Sequence, residues 1–252
     1  VGHQASDGID ACRGFLDPAT FAGAGCFVQV PDPDRDGYRS TNASLRADFA
    51  PGEAWQFGAQ ALRAEGRNAY DADPMWGLPD NSQVLQQVVG GDARWRASDT
   101  LQLRLVAGRN TDASDNFLGR DFVDRFQTRR DSASLQADVA VAQAQLLSLG
   151  LDWLRDSGGV DGPFAAFSRV RGNRAVYAQY QARFGAHDLQ LSARRDDNDQ
   201  FGGKTTGSVA WGFGFGDGWR ATASHGTAFK APSFNELYYP FFGNPALRPE
   251  SA

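Results

Sequence analysis

Apolar and polar residues alternate along most of this chain of 252 residues. In one clear example, Ala43, Leu45, Ala47 and Phe49 alternate with polar residues. A period of two predicts a β-strand with one apolar and one polar face, whereas a helix would give a period of about 3.6. The same alternation recurs at 55–61, 101–107, 133–139, 176–184, 189–193, 209–215 and 219–223. We therefore predict an all-β fold of about ten strands.

Short polar segments separate the predicted strands at one end of the sheet. These segments lie at 50–53, 97–100, 141–144, 185–188 and 216–218. Longer polar segments alternate with them along the chain. Short and long connections in alternation are typical of an up-and-down antiparallel meander.

Two architectures contain such a meander: a soluble sandwich or small barrel with its apolar face inside, and a membrane barrel with its apolar face toward lipid. Aromatic residues beside the short connections favour the membrane barrel, because its interfacial girdle lies at this position. They are Phe49, Trp55, Phe184, Phe215 and Trp219. The predicted fold class is an antiparallel up-and-down transmembrane β-barrel. Because the chain begins and ends abruptly, we expect one partial barrel domain over 1–252, about ten strands of a larger barrel.

Composition and motifs exclude several other classes of protein. The formal net charge is −5 and no basic stripe with interleaved aromatic residues is visible, which argues against nucleic acid as a partner. The segment FGGKTT at 201–206 has Asn198 where a phosphate-binding loop needs its first glycine. His3, His187 and His225 lack the spacing of metal ligands, and there is no Gly-x-Ser-x-Gly motif. We predict that the protein is not an enzyme.

Cys12 and Cys26 are the two cysteines of the chain, and both lie in its first long polar segment. Their spacing suits a disulfide that closes a loop in an oxidising compartment. Zinc would need two further ligands close by, and His3 is the histidine nearest to them. We therefore predict a disulfide between Cys12 and Cys26.

The segment PDPDRDGY at 31–38 has the order of aspartates that opens an EF-hand calcium loop. An EF-hand needs a glutamate at its twelfth position, where this chain has Ala43, and it needs a helix on each side. A predicted strand follows instead. The EF-hand interpretation therefore fails, and an acidic loop before a strand remains.

Acidic residues are concentrated in the long segments 1–40 and 69–82, which an up-and-down topology brings to the same end of the sheet. They include Asp7, Asp10, Asp32, Asp34, Asp36, Asp71, Asp73 and Asp80. Carboxylates gathered in this way repel one another unless a cation is present, and hard oxygen ligands favour calcium. Ordinary solvated acidic loops explain the same residues equally well, so the residues alone leave both interpretations open.

The segment SHGTAFKAPSFNELYYPFFGNPALRPE at 224–250 resembles the late-barrel motif of TonB-dependent outer-membrane receptors. The motif contains an Ala-Pro pair, then Glu-Leu-Tyr, and then Asn-Pro-x-Leu-x-Pro-Glu before the next strand. The upstream segment RRDDNDQFG at 194–202 is similar to a segment of the cobalamin-receptor branch of that family. The acidic segments also lie where that branch has its calcium-binding loops.

The resemblance implies calcium as a structural cofactor that orders the extracellular loops. The residues implied as calcium ligands are Asp10, Asp34, Asp36, Asp71 and Asp80, with Tyr70 beside the site. Asp32 is not among the ligands that the resemblance implies. Loop residues at 234–242 are candidates for contact with the substrate by their position in the chain.

The function that the resemblance implies is capture and import of cobalamin across the outer membrane of a Gram-negative bacterium, with this chain as the barrel portion. The implied partners are cobalamin, outer-membrane lipid and a TonB energy-coupling complex. That complex would act through a plug region, which we expect to lie outside this chain. A siderophore receptor with the same barrel and a passive porin or adhesin are the alternatives.

Overall fold

The structure is a computed structural model, and it describes residues 1–10, 34–72, 77–163, 166–216, 218–240 and 242–252. Eleven antiparallel strands form one sheet in chain order, so each strand pairs with its neighbours in sequence. The strands are β1 Gly2–Ser6, β2 Tyr38–Phe49, β3 Trp55–Ala69, β4 Asn81–Arg96, β5 Leu101–Leu118, β6 Asp121–Ala142, β7 Gln145–Asp161, β8 Phe167–Phe184, β9 His187–Asn198, β10 Gly202–Phe215 and β11 Trp219–Gly226. β1 and β11 are the two edges, and the sheet is an open, partial barrel. The predicted fold class and up-and-down topology are confirmed.

A short helix and a small ladder follow the main sheet. β12 (Phe229–Lys230) pairs with β13 (Glu250–Ser251), and α1 (Phe234–Tyr238) lies between them in the chain. Among the helices of the described residues, none has the length and apolar character needed to cross a membrane.

The first acidic segment is shorter than predicted, because parts of 1–40 belong to the sheet. β1 pairs with β2 from Gly2 opposite Asn42 to Ser6 opposite Tyr38. The five residues of β1, GHQAS, carry no large apolar side chain, so the sequence shows no alternation there. Backbone pairing with β2 is what makes this segment a strand.

The connections opposite the short turns differ from the prediction in two places. β5 and β6 are joined by Gly119 and Arg120 alone, and 199–201 join β9 to β10. β6 reaches 22 residues and extends well beyond its alternating apolar part. Polar residues lie on both faces of the upper part of β6, with Phe122, Val123 and Phe126 scattered among them, so backbone pairing continues where the apolar alternation has stopped.

One face of the sheet, here called the outer face, carries a continuous apolar band. Residues from six neighbouring strands stand opposite one another in register: Phe57, Ala93, Leu105, Leu135, Leu151 and Val176. Their side chains remain accessible, and Leu151, in the middle of the row, is 58% exposed. In the described chain, nothing covers this band as the core of a soluble sandwich would be covered.

The other face, here called the inner face, is polar and held together by side-chain hydrogen bonds between strands. Arg194 on β9 contacts Asp152 on β7 and donates to Asp196 at 2.9 Å. Ser134 on β6 donates to the same Asp152 at 2.7 Å, and Asn173 on β8 donates to Asp196 at 2.8 Å. This network connects four neighbouring strands.

A glycine on β7 makes room for one member of the inner face. The ring of Tyr177 lies over Gly150, where a Cβ atom would overlap it. From this position the Tyr177 hydroxyl donates to Gln136 Oε1 at 2.9 Å, so the side chain reaches across an entire strand.

We predict that Gly150→Ala destabilises the protein by about 1–3 kcal/mol, because an added methyl group in a packed site forces its neighbours to shift. The Tyr177 ring would have to move and would lose its hydrogen bond to Gln136. The free energy of unfolding, measured by urea titration with circular dichroism, tests this.

The matched control is Gly214→Ala on β10, where a Cβ atom would meet no atom closer than 3.9 Å. This change should leave stability unchanged or raise it slightly, because alanine loses less backbone entropy than glycine on folding. Equal effects at both positions would contradict the proposed packing role of Gly150.

Candidate functional site

Three aspartates meet at the end of the sheet opposite the short turns. Asp34, Asp36 and Asp71 each place one carboxylate oxygen within 4.8 Å of the other two. Asp34 is exposed, and the other two are half-buried. Both carboxylate oxygens of Asp36 are buried and have no hydrogen-bond partner among the described residues. An ionised carboxylate in this position is costly unless a positive charge compensates it.

Backbone contacts between the two acidic segments bring these aspartates together. The Asp36 N–H donates to the carbonyl oxygen of Ile9 at 3.1 Å, and the Ala69 N–H donates to that of Gly37 at 2.9 Å. Gly8 has φ +68°, and a Cβ atom there would overlap the Asp36 carbonyl oxygen. A glycine is therefore required for the N-terminal segment to approach residue 36 this closely.

Asp10 and Tyr70 flank the three aspartates in the chain. Asp10 is half-buried and directly follows Ile9, whose carbonyl group accepts the hydrogen bond from Asp36. Tyr70 directly precedes Asp71 and donates its backbone N–H to the Asp80 carbonyl oxygen at 2.9 Å. Burial raises the pKa of Tyr70, and Asp124, Asp80 and Tyr239 raise it further. The Tyr70 phenol therefore stays protonated.

Asp80 lies apart from the group of three and holds a neighbouring turn instead. Its two carboxylate oxygens each accept a hydrogen bond from the Gly119 N–H at 2.9 Å, and Oδ1 also accepts one from Asn81 Nδ2 at 2.6 Å. These contacts fix the two-residue turn between β5 and β6. Thus, of the five predicted ligands, the structure groups Asp34, Asp36 and Asp71.

Several predicted features lie outside the described residues. These are Asp32, Asp73 and the two cysteines, Cys12 and Cys26, that we expect to form a disulfide. Asp7 is described, and it is exposed.

The segment around α1 folds onto the inner face at the same end of the sheet. Leu237 is fully buried, and the ring of Phe234 lies against Gly158 on β7. Arg171 on β8 donates to the Pro232 carbonyl oxygen at 2.8 Å, and its guanidinium lies 4.9 Å from the centre of the Phe234 ring. This segment therefore covers part of the mouth of the partial barrel.

Sequence reasoning identified 234–242 by position alone, but it missed the local signal for the helix. Ser233 and Glu236 form a capping box: the Ser233 hydroxyl accepts from the Glu236 N–H at 3.3 Å, and Glu236 Oε2 accepts from the Ser233 N–H at 2.6 Å. The hydrogen bond from the Ser233 backbone lowers the pKa of Glu236. The spacing of serine and glutamate is the sequence signal for such a cap.

A comparison with protein families agrees with this open up-and-down sheet. The model for "TonB dependent receptor-like, beta-barrel" matches residues 14–252, nearly the whole chain. The chain belongs to the TonB-dependent receptor β-barrel family. This is a family of receptors rather than of enzymes, and its members are outer-membrane proteins of Gram-negative bacteria.

Similar sequences within the family are vitamin B12 transporters. The chain is 30% identical over 222 residues to the vitamin B12 transporter BtuB of Photobacterium profundum, and 30% identical over 240 residues to that of Vibrio cholerae. Each alignment covers 88% of this chain and 36% of the relative. The chain therefore spans about a third of the length of these relatives.

Solved structures with a similar fold include siderophore receptors. PirA from Acinetobacter baumannii superimposes with a TM-score of 0.73 at 14% identity, covering 86% of this chain and 40% of PirA. PirA from Pseudomonas aeruginosa gives 0.72 at 16% identity, covering 86% and 42%. At these identities the likeness establishes the TonB-dependent receptor fold alone.

We predict that Asp80→Ala loosens the turn between β5 and β6, because it removes the acceptor for the exposed N–H of Gly119. Losing such a hydrogen bond costs about 0.5–1.5 kcal/mol locally. Hydrogen–deuterium exchange should become faster in peptides that cover 117–121.

The control is Asp121→Ala, at an exposed residue of the same turn whose side chain makes no hydrogen bond to the described residues. Exchange in this variant should match the unmodified protein. If Asp80→Ala also leaves exchange unchanged, Asp80 does not hold the turn.

Proposed function

We propose that this chain is the barrel portion of an outer-membrane receptor that captures cobalamin at its loop end and imports it with energy from a TonB complex. Calcium bound by the acidic segments orders that end. The observation that carries this proposal is the meeting of Asp34, Asp36 and Asp71 around the buried carboxylate of Asp36, in a chain that is 30% identical to vitamin B12 transporters.

The two faces of the sheet support a position in the outer membrane. The apolar band is exposed on the outer face, whereas the inner face carries the network of charged and amide side chains. Transmembrane barrels have this distribution, with lipid outside and a polar lumen inside. Trp55 stacks on Phe57 and on Trp95 beside the short turns, where an interfacial aromatic girdle lies.

The geometry of the three aspartates suits calcium. Calcium binds six to eight oxygens at about 2.3–2.6 Å, so two oxygens on one ion are at most about 5 Å apart. The separation of 4.8 Å or less between carboxylate oxygens falls within this limit. When bound, calcium supplies the positive charge that compensates the buried carboxylate of Asp36. Asp34, Asp36 and Asp71 would hold it, with Asp10 as the adjacent donor.

Cobalamin is the proposed substrate because the relatives at 30% identity are named as vitamin B12 transporters. The siderophore receptors among the solved structures share only 14–16% identity, which supports the fold and not the substrate. The family membership also disfavours a passive porin or adhesin. The TonB complex would act through a plug region, as in the whole receptor that we propose.

We predict that calcium stabilises the receptor against heat and that Asp36→Asn abolishes this effect. A ligand that binds only the folded state adds about 2.7 kcal/mol of stability at one hundred times its Kd. Without calcium, Asp36→Asn should be more stable than the unmodified protein, because a buried neutral amide costs less than an uncompensated carboxylate. Differential scanning calorimetry with calcium and with chelator measures both effects.

Asp121→Asn is the matched control, since Asp121 is an exposed aspartate at the same end of the sheet. It should keep the full stabilisation by calcium. If Asp36→Asn also keeps it, the three aspartates are ordinary solvated acids.

For the complete receptor, we predict that cyanocobalamin binds at least about tenfold more weakly in chelator, a change of about 1.4 kcal/mol. Added calcium should restore the affinity, whereas magnesium should not, because it binds reluctantly to sites made only of protein oxygens. Equilibrium binding of radiolabelled cyanocobalamin measures this change.

Two results separate the parts of the proposal. Cyanocobalamin binding that is indifferent to chelator would show that calcium has no role in capture. Absence of cyanocobalamin binding, together with binding of a ferric siderophore, would show that the substrate is wrong.

A further inference from the structure

The segment that contains α1, here called the α1 segment (232–240 and 242–247), is attached to the barrel wall where it covers part of the mouth. Leu237 is fully buried beneath it. The Tyr238 hydroxyl accepts a hydrogen bond from Gln200 Nε2, in the turn between β9 and β10, at 2.7 Å. The helix therefore has a fixed position relative to the wall.

Arg171 on β8 makes three contacts that attach the α1 segment. Its side chain donates to the Pro232 carbonyl oxygen at 2.8 Å. Its guanidinium lies 4.9 Å from the centre of the Phe234 ring and 5.7 Å from the centre of the Phe201 ring, which belongs to the turn between β9 and β10. Both distances are within the limit of about 6 Å for a cation–π contact. One side chain thus joins the wall, the start of the α1 segment and the neighbouring turn.

The chain turns sharply after α1, and backbone contacts fix this turn. The Gly243 N–H donates to the Tyr239 carbonyl oxygen at 2.7 Å, and the Asn244 N–H donates to that of Glu236 at 2.8 Å. A Cβ atom at position 243 would lie 2.7 Å from the backbone nitrogen of Tyr239, so this close approach requires a glycine. The backbone that carries the Tyr239 and Phe242 rings is therefore held in one conformation.

The two rings on this turn are exposed. Phe242 is 85% exposed and Tyr239 is 39% exposed, and their ring centres lie 6.5 Å apart. Tyr239 is also one of the groups that raise the pKa of Tyr70, so the α1 segment extends toward the loop that carries Asp71. Exposed aromatic side chains on a fixed backbone are typical of binding surfaces, because they offer a large apolar area and lose little entropy when a ligand binds.

We propose that Tyr239 and Phe242 contact the substrate, and that Arg171 is a positioning residue that holds the α1 segment so that both rings meet the ligand at the mouth. This inference rests on the proposed function and deepens it, because it names groups of this chain that touch cobalamin. The methyl-substituted corrin macrocycle offers an apolar face to such rings. Arg171 acts through the α1 segment and does not touch the ligand.

Equilibrium binding of radiolabelled cyanocobalamin to the purified complete receptor, with calcium present, tests the contact. Phe242→Ala should weaken binding at least about tenfold, as the loss of an aromatic hot-spot residue does. Phe242→Tyr should keep the affinity, because the ring remains. The thermal unfolding temperature should be unchanged in both variants, since the side chain is almost fully exposed. The matched control is Phe122→Ala, which removes an exposed ring at the start of β6 and should leave the affinity unchanged.

A double-mutant cycle tests the positioning role of Arg171. Arg171→Gln should speed hydrogen–deuterium exchange in peptides that cover 233–240 and weaken cyanocobalamin binding less than Phe242→Ala does, since Leu237 still anchors the helix. In the Arg171→Gln background, Phe242→Ala should cost less affinity than it costs alone, because the ring is already displaced. Arg171→Lys should give intermediate values, because lysine keeps the charge and lacks the planar set of donors. Arg174→Gln, on the opposite face of β8, is the control and should change neither exchange nor affinity.

Equal affinity of the unmodified receptor and Phe242→Ala would overturn the contact role, and so would an equal loss in Phe122→Ala, since any exposed ring at this end would then have the same effect. Strictly additive losses in the cycle would overturn the positioning role of Arg171. These results concern this inference alone when the unmodified receptor binds cyanocobalamin. If the unmodified receptor does not bind it, the proposed function fails, and this inference fails with it.

Discussion

Uninterrupted backbone pairing between neighbouring strands is the constraint on which the rest of this structure depends. Because side chains alternate between faces with a period of two, a slip of one residue would move every apolar side chain to the opposite face. The register from β3 to β8 instead keeps Phe57, Leu105, Leu135 and Leu151 in one row on the outer face. The same register gathers Asp152, Arg194 and their partners on the inner face.

The strand register also determines which side chains meet at the loop end. Pairing of β1 with β2 and of β2 with β3 brings the segments before β2 and after β3 to one place, and the aspartates on them meet there. Asp36 is in an unfavourable position for a carboxylate, because both its oxygens are buried without a hydrogen-bond partner in the described chain. In the function that we propose, a cation compensates this carboxylate, so binding of the ion would stabilise the ordered loop end.

The sequence predicted the fold well where one face is apolar, because alternation is visible only there. It did not predict β1, the upper part of β6 or the turn at Gly119, since polar residues occupy both faces of these extensions. For the acidic site, the resemblance implied five aspartates as ligands, and the structure groups three of them, Asp34, Asp36 and Asp71. The separation of Asp80 from Asp34, Asp36 and Asp71 depends on the turn that its carboxylate holds, and a sequence pattern does not contain that distance.

The meeting of the three aspartates around a cation can be observed directly. In crystals of the complete receptor grown with calcium, long-wavelength diffraction should show an anomalous peak at about 2.3–2.6 Å from carboxylate oxygens of Asp34, Asp36 and Asp71. Absence of a peak, with these carboxylates turned apart into solvent or paired with basic side chains, would contradict the proposed calcium site.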